Sequence, residues 1–335
     1  MQSHLVDPSR RQWLARTAFA GASLGFGPLV RAQAAWPGRP VRLIVPFNAG
    51  GATDIVARVV GEKLSSRLGQ PMLVDNRSGA GGILGTEAVA KAPADGYTFA
   101  VSLSTSLLIN QFLYQKLPYD PRRDLSLVSL IASAPVTLAV HPSLPVRNGP
   151  ELLAYIKQNK GKLSYGSWGI GSYAHLGGAF MSRSQDADMA HAAYRGEAPM
   201  LQDLIGGQIK IAFASALGTK AHAAAGKLRL IGVTGEQRMG ILPDVPTLQE
   251  QGLKDDAYRV VGFVGMAAPA RTPAEIVQRM AREVGAICAL PDVRERIEGM
   301  GFRSVGSTPE AFAAAYRKDW PVWEALVKQS GAQLD

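Results

Sequence analysis

Pro46-Phe47-Asn48-Ala49-Gly50-Gly51-Ala52-Thr53-Asp54 is the stretch on which the fold is decided. It follows an apolar run, Val41 to Val45, and precedes Ile55, Val56, Val59, Val60, Leu64 and Leu68, which recur as one face of a helix. Strand, glycine turn and helix start therefore come in that order. The first amides of a helix have no intrahelical acceptor, and the helix dipole makes that end attractive to an anion. Gly50 and Gly51 carry no Cβ, so a ligand can come close to their backbone. Thr53 is placed to cap the helix. The expectation is an anion-accepting turn with a second lobe held over it.

The same alternation extends along the chain. The first helix ends at Gly69, residues 71–74 read as a second strand, and Gly79-Ala80-Gly81-Gly82 leads into a helix through Lys91. Residues 98–103 form a third strand, which ends in Ser104-Thr105-Ser106. Strands alternating with helices at this spacing predict parallel pairing in an α/β lobe. Their near-continuous apolar character predicts a sheet covered on both faces. Residues 128–131 and 135–140 are further apolar runs. From 143 to about 255 the pattern repeats, with short strands at 163–166, 189–193, 209–214 and 228–233. Ser167-Trp168-Gly169-Ile170-Gly171-Ser172 and Tyr194-Arg195-Gly196 fall at strand ends. Residues 260–267 make one more strand, Thr272-Pro273-Ala274-Glu275 reads as a capping box, and Thr308-Pro309 opens a last helix. The tail has too few strands to stand alone and is expected to pack back on the first lobe. The predicted organisation is a first lobe of residues 35–140 with 256–335, and a second of 141–255, joined by two crossing strands near 135–141 and 258–267. Ligands of open α/β sheets bind beyond the carboxyl ends of the strands. The glycine- and serine-rich turns should then converge on one cleft between the lobes.

With 335 residues, 47% of them hydrophobic, the chain can bury a large core, and its length favours about two domains. Charged residues make up 19% without a long run of one sign, which excludes global disorder. Cys288 stands alone, cannot form an internal disulfide and reads as a buried, inert thiol. No Cys/His spacing suggests zinc. Residues 1–34 are set apart. Ser9-Arg10-Arg11-Gln12-Trp13-Leu14 is a twin-arginine pattern, followed by a short apolar run over 17–30 and Ala32-Gln33-Ala34, an A-x-A cleavage site. Together these make an export signal, not a membrane span. Formal net charge is +9, and removing that segment takes away four arginines and one aspartate and leaves +6. The charge is spread out with no basic stripe, which disfavours nucleic acid and suits small anions. The mature protein is expected in the periplasm of a Gram-negative bacterium.

Several motifs invite sharper readings. Gly79, Gly81, Gly82 and Gly85 cannot be threaded by G-x-G-x-x-G, and no phosphate-loop pattern occurs, so no nucleotide cofactor is expected. Gly166-Ser167-Trp168-Gly169 lies where a nucleophile elbow would, but Tyr165 occupies the position of its first glycine. Ser167 reads as a hydrogen-bond donor to a ligand ahead of a plain loop serine, with a nucleophile assisted by His175 or His191 as the remaining alternative. Asp54 either braces its own turn or orients a water or ligand group; Arg195 either pairs with a carboxylate or braces its loop. His175 reads as an internal helix residue ahead of a ligand contact. No pair of carboxylates suited to glycoside chemistry is evident.

Taken in order, Pro46-Phe47-x-x-Gly50-Gly51-x-x-Asp54, Leu68-Gly69-Gln70-Pro71, Asn76-Arg77-x-Gly79-Ala80-Gly81-Gly82, Asp95-Gly96-Tyr97-Thr98, Leu117-Pro118-Tyr119-Asp120, Tyr194-Arg195-Gly196 and Leu242-Pro243-Asp244-Val245-Pro246-Thr247 carry a resemblance. Over essentially all of 36–335 the chain resembles the substrate-binding proteins of tripartite tricarboxylate transporters, the Bug (Bordetella uptake gene) receptors. The resemblance implies a two-lobed periplasmic binding protein of the type II class that closes on a small organic anion. It also implies that the first strand–helix turn, with ordered waters, grips one ligand carboxylate while the other lobe sets specificity. Carried over, the ligand-binding residues are Phe47, Asn48, Ala49, Gly50, Gly51, Thr53 and Asp54 on the first lobe, with Ser104 and Thr105. Opposite them come Ser167, Trp168, Gly171, Ser172, Tyr194, Arg195, Ala214 and Ser215. The family often has Ser-Thr-His where this chain has Ser104-Thr105-Ser106, an Asp where it has Ala214, and a small residue where it has Trp168. Loss of an acid at 214 removes a partner for a ligand ammonium, and Trp168 adds a stackable wall. The expected ligand is therefore a carboxylate without an amino group, aromatic or bulky.

The leading expectation is a non-enzymatic, monomeric receptor without cofactor or metal, which captures a di- or tricarboxylate or an aromatic carboxylate and delivers it to the permease subunits of such a transporter. The alternatives are a ligand sensor that feeds a membrane kinase and a secreted hydrolase using Ser167.

Overall fold

A computed structural model describes residues 36–334. The export signal read over residues 1–34 lies outside the described residues. The elements of the first part are β1 (Val41–Val45), α1 (Ala52–Leu68), β2 (Met72–Asn76), α2 (Ile83–Ala90), β3 (Thr98–Leu103), α3 (Asn110–Leu113) and β4 (Leu125–Ala134). There follow β5 (Thr137–Val140), α4 (Gly149–Gln158), β6 (Ser164–Ser167), α5 (Tyr173–Ser184), β7 (Ala190–Ala193), α6 (Glu197–Ile205), β8 (Ile211–Ala214), α7 (Ala216–Ala224), β9 (Arg229–Val233) and α8 (Asp256–Arg259). The chain closes with β10 (Gly262–Pro269), α9 (Ala274–Cys288), α10 (Pro291–Gly299), β11 (Arg303–Ser304) and α11 (Pro309–Ser330).

Helix α1 follows from its apolar spacing: Val56, Val59, Val60, Leu64 and Leu68 are buried. It stops at Gly69, whose φ of 70° is the left-handed conformation a Cβ would penalise. Its N-cap is Gly51, with no side-chain cap; Thr53 lies inside the helix and is buried, so the cap expected of Thr53 is corrected. The capping box expected at Thr272 is also absent. Helix α9 is capped at Pro273 without a side-chain bond, and the Thr272 hydroxyl is buried with no partner among the described residues.

The strands form two sheets, in the orders β11-β4-β10-β3-β1-β2 and β7-β6-β8-β5-β9. Within them β1 runs parallel to β2 and β3, and β6 parallel to β7 and β8, as strand–helix alternation predicts. Parallel pairing does not extend to the rest. Strand β10 is antiparallel to β3 and β4, and β5 is antiparallel to β8 and β9. Both are strands by which the chain enters one sheet from the other, and they therefore run against their neighbours.

This pairing moves one expected boundary. Residues 137–140 were read with the first lobe, but their hydrogen bonds run to β8 and β9 of the second sheet. The passage between sheets is the short Pro135-Val136 link after β4. There Val136 N–H donates to Thr234 Oγ1 and Thr234 N–H to Val136 O, both at 2.9 Å, while Gly235 N–H donates to Tyr258 O at 2.9 Å. Helix α8 faces the second sheet's side, with Tyr258 edge-on to Phe180 of α5.

The tail packs back on the first sheet's side, as expected, and also beyond it: helix α11 lies on β4 and the 105–109 turn and on α5 as well. Tyr316 Oη donates to Leu107 O at 2.9 Å, and Arg183 Nη1 donates to Gln329 O at 2.8 Å. Its buried face, Phe312, Tyr316, Trp323, Leu326 and Val327, joins one apolar core that includes Leu107 and Tyr173. Cys288 is buried in α9, and burial pushes its thiol up to about 11. Among the described residues no helix is long and apolar enough to cross a membrane.

Candidate functional site

A cavity of about 550 Å³ lies at the carboxyl ends of β1, β3, β6 and β8. It is bordered by Phe47 after β1, Ser104 and Thr105 after β3, Trp168 to Tyr173 after β6, and Ser215 and Ala216 after β8. The linking segments close it, through Pro135, Val136, Gly262 and Phe263. This is where an open α/β sheet presents its loops to a ligand.

Helix starts meet at this cavity. The chain leaves β3 directly into a π-helix over Thr105–Ile109, a geometry that the sequence did not announce and that recurs at functional sites. Ser104 is buried, with its Oγ 3.4 Å from the Phe263 amide. Asn110 Nδ2 donates to Gly81 O at 3.1 Å. Helix α5 begins at Ser172, whose Oγ accepts from His175 N–H at 3.3 Å and donates to Gly169 O at 2.6 Å. Helix α7 begins at Ser215, whose Oγ accepts from Gly218 N–H at 3.0 Å.

Of the residues singled out from sequence, Phe47, Ser104, Thr105, Trp168, Gly171, Ser172 and Ser215 border the cavity. Asn48, Ala49, Gly50 and Gly51 are exposed and do not. Asp54 is the internal brace of the turn. Its Oδ2 accepts from Gly50 N–H at 2.8 Å and Arg58 Nε at 3.0 Å, and its Oδ1 from Asn76 Nδ2 at 3.0 Å. Burial works against its ionisation, but the bonds from Arg58, Gly50 and Asn76 outweigh it and hold the carboxyl below its usual range. Asn76 also donates to Phe47 O at 3.1 Å, so the Asp54–Asn76 pair holds Phe47 in place.

Ser167 is fully buried and does not border the cavity. Its Oγ lies 2.7 Å from His191 Nε2 and 3.2 Å from Gly169 O, so the ligand-donor role expected of it is corrected. The nucleophile reading fails for the same reason, since a carbonyl carbon cannot reach an oxygen sealed from solvent. His191 lies between Tyr165, at 5.0 Å, and His175, at 4.1 Å, in a stack of rings. His175 Nδ1 accepts from Gly171 N–H at 3.2 Å, which makes it the internal residue expected. Burial, with His191 as neighbour, pushes His175 down to about 4.

Tyr194 turns away from the cavity. Its Oη donates to Asp203 Oδ2 at 2.7 Å, and burial with that carboxylate pushes the phenol up to about 12. Arg195 is exposed, makes no ion pair among the described residues and does not border the cavity. Ala214 is buried under the site, and Thr137 Oγ1 donates to its carbonyl at 3.0 Å.

Sequence reasoning missed Glu197, Asn110, Phe302 and Trp323, all of which border the cavity. Glu197 directly follows the Tyr194-Arg195-Gly196 turn and opens α6. Its Oε1 accepts from Ser215 N–H, and its Oε2 accepts from Ser215 Oγ–H at 2.9 Å. Ala214 offers no acid to the site, but α6 brings the Glu197 carboxylate in beside it. Trp323 comes from α11, and its indole N–H is buried without a partner among the described residues. No cluster of His, Cys, Asp and Glu among the described residues is arranged to hold a metal ion.

The chain matches the TctC family, described as "Tripartite tricarboxylate transporter family receptor", over residues 56–331. A relative of Pseudomonas sp. (strain P51), a UPF0065 protein from the tcbD-tcbE intergenic region, is 36% identical over 96% of this chain and 95% of its own. BugT of Bordetella pertussis is 31% identical over 89% of this chain and 91% of its own length. Among solved structures, R. palustris Rpa4515 with adipate is 33% identical, with a TM-score of 0.75 over 89% of this chain and 100% of that one. MatC of Rhodopseudomonas palustris with bound malate is 30% identical, with a TM-score of 0.70 over 87% of this chain and 99% of that one.

Proposed function

The chain belongs to the tripartite tricarboxylate transporter receptor family, and from that premise we propose how it works. It captures a small organic carboxylate in the periplasm and hands it to the membrane permease subunits of such a transporter. The observation that carries this reading is the meeting of the α5 start and the Ser104–Thr105 turn at one largely apolar cavity. First-turn amides and neutral hydroxyls are suited to a carboxylate, and apolar walls strengthen them by excluding water. The bound adipate and malate of the relatives support the same ligand class.

In this reading the two sheets are the cores of two lobes, 36–134 with 262–334 and 137–260. The Pro135-Val136 link and the segment at 260–261 act as the hinge, and closure buries the ligand. The site captures and releases without chemistry, as a monomer. The twin-arginine pattern of Arg10 and Arg11 directs export, which fractionation of cells carrying R10K/R11K tests by loss of the periplasmic form.

Titration calorimetry and thermal shift with a carboxylate panel and the matching amides test the capture reading. A ligand at a hundred times its Kd adds about 2.7 kcal/mol, which raises Tm by several degrees. Stabilisation by at least one carboxylate and by none of the amides is expected. Equal response to acids and amides, or no response to any, overturns the proposal.

A further inference from the structure

Glu197 is the only Asp, Glu, Lys, Arg or His among the described residues that border the cavity. It makes no ion pair among the described residues, and Arg195, two positions earlier, is exposed and unpaired there. Both Glu197 oxygens are tied to Ser215, one by the backbone amide and one by the hydroxyl at 2.9 Å. Ser215 is the N-cap of α7. The protein's own carboxylate therefore sits at the α7 start, where the helix dipole favours an anion.

We infer that Glu197 sets the charge of the ligand: the cavity takes an acid with a single carboxylate and excludes a second one. The inference rests on the carboxylate-capture reading and narrows it. A ligand carboxylate has the α5 start and the Ser104–Thr105 turn to bind, both built from neutral donors. The third helix start at the cavity is already neutralised by Glu197. No basic side chain borders the cavity to offset a second ligand charge, and that charge would share a low-dielectric space with Glu197. The far end of a favoured ligand is apolar, against walls such as Trp168 and Phe302, or ends in a donor for the spare lone pairs of Glu197.

A matched six-carbon series tests this with one length and different ends: hexanoate, 6-hydroxyhexanoate and adipate, each titrated calorimetrically into the wild-type protein and into E197Q. Glutamine keeps an oxygen for the Ser215 amide and removes the charge. Wild type is expected to bind hexanoate or 6-hydroxyhexanoate at least tenfold more tightly than adipate. E197Q is expected to cut that ratio at least tenfold, mainly through tighter adipate binding. Adipate binding wild type as tightly as the monocarboxylates overturns the inference without any variant, so the test stands even if E197Q folds poorly; E197A then serves as the second variant. An unchanged ratio in a folded E197Q or E197A also overturns it and leaves carboxylate capture intact. Failure of every acid in the series and in the wider panel to bind overturns the capture reading itself, and this inference with it.

Discussion

Ser167 Oγ and His191 Nε2 lie 2.7 Å apart, at the spacing of a hydrolytic pair, yet the serine is fully buried and the cavity does not reach it. The pair stitches β6 to β7, which run side by side there. Ser167→Ala should therefore cost about 1 kcal/mol of stability, the ordinary loss for one buried hydrogen bond, and leave ligand affinity within about twofold. Chemical denaturation and calorimetry read the two numbers; turnover of an activated ester that disappears in the variant would revive the hydrolase reading.

Asp54 matters through the turn it holds. Asp54→Asn places an amide against Arg58 and Asn76, both donors, and should destabilise the protein by about 1–3 kcal/mol. The folded carboxyl titrates below its usual range, so its contribution is present above the unfolded value and is lost as pH falls through the folded one. Acid unfolding of the variant should accordingly be shallower than that of wild type, which circular dichroism across pH 5 to about 2 would follow.

His175 predicts a second and separate pH dependence. Its folded pKa of about 4 lies below the ordinary 6.5 of a histidine, so the unfolded chain binds more protons between those values and stability falls as pH is lowered through that window. The loss should reach about 3 kcal/mol near pH 4. His175→Asn can keep an acceptor for Gly171 N–H without the titration, and its melting temperature should vary less between pH 7 and 4. An unchanged slope would show that His175 is not the group responsible.

Trp168 borders the cavity and is only half-buried, so it has surface free to contact a ligand. Trp168→Ala should weaken binding of an aromatic carboxylate such as benzoate about tenfold and that of a short aliphatic acid much less. Equal losses for both acids would mean that the indole shapes the wall without stacking.

Gly85 tests why the second glycine turn is rich in glycine. A Cβ there would lie 2.8 Å from both Arg77 O and Pro46 Cα. These are backbone atoms that cannot swing aside, so Gly85→Ala should destabilise the protein by more than about 2 kcal/mol and move the turn that carries Phe47. Close packing of α2 on the first turn, and not a nucleotide, accounts for this glycine.

Local pattern carried much of the fold. The apolar face of α1 and its stop at Gly69 were legible because a helix buries residues at fixed spacing and needs a left-handed residue to end. Strands β1, β3 and β8 were legible as apolar runs and β6 as a short strand before a glycine-rich turn, and with them the turns that border the cavity at Phe47, Ser104, Trp168 and Ser215. The family resemblance was likewise carried by short motifs in fixed order, and the family match bears it out.

What the sequence alone determined about this protein was its α/β class, its receptor family and the strand ends whose turns border the cavity, since each of these is written in contacts between near neighbours. Tertiary structure decided the rest. Sheet membership of 137–140 depends on pairing with β8 and β9, and the double packing of α11 depends on where α5 comes to lie. Asp54 and Asn76 brace the opening turn from within, taking up its Gly50 amide and Phe47 carbonyl, which no local pattern announces. Glu197 gained one because folding brings it against Ser215, eighteen residues away, at the end of another strand. Burial and partners give a polar side chain its role, and both are set by segments far apart in the chain, which periodicity and spacing do not encode.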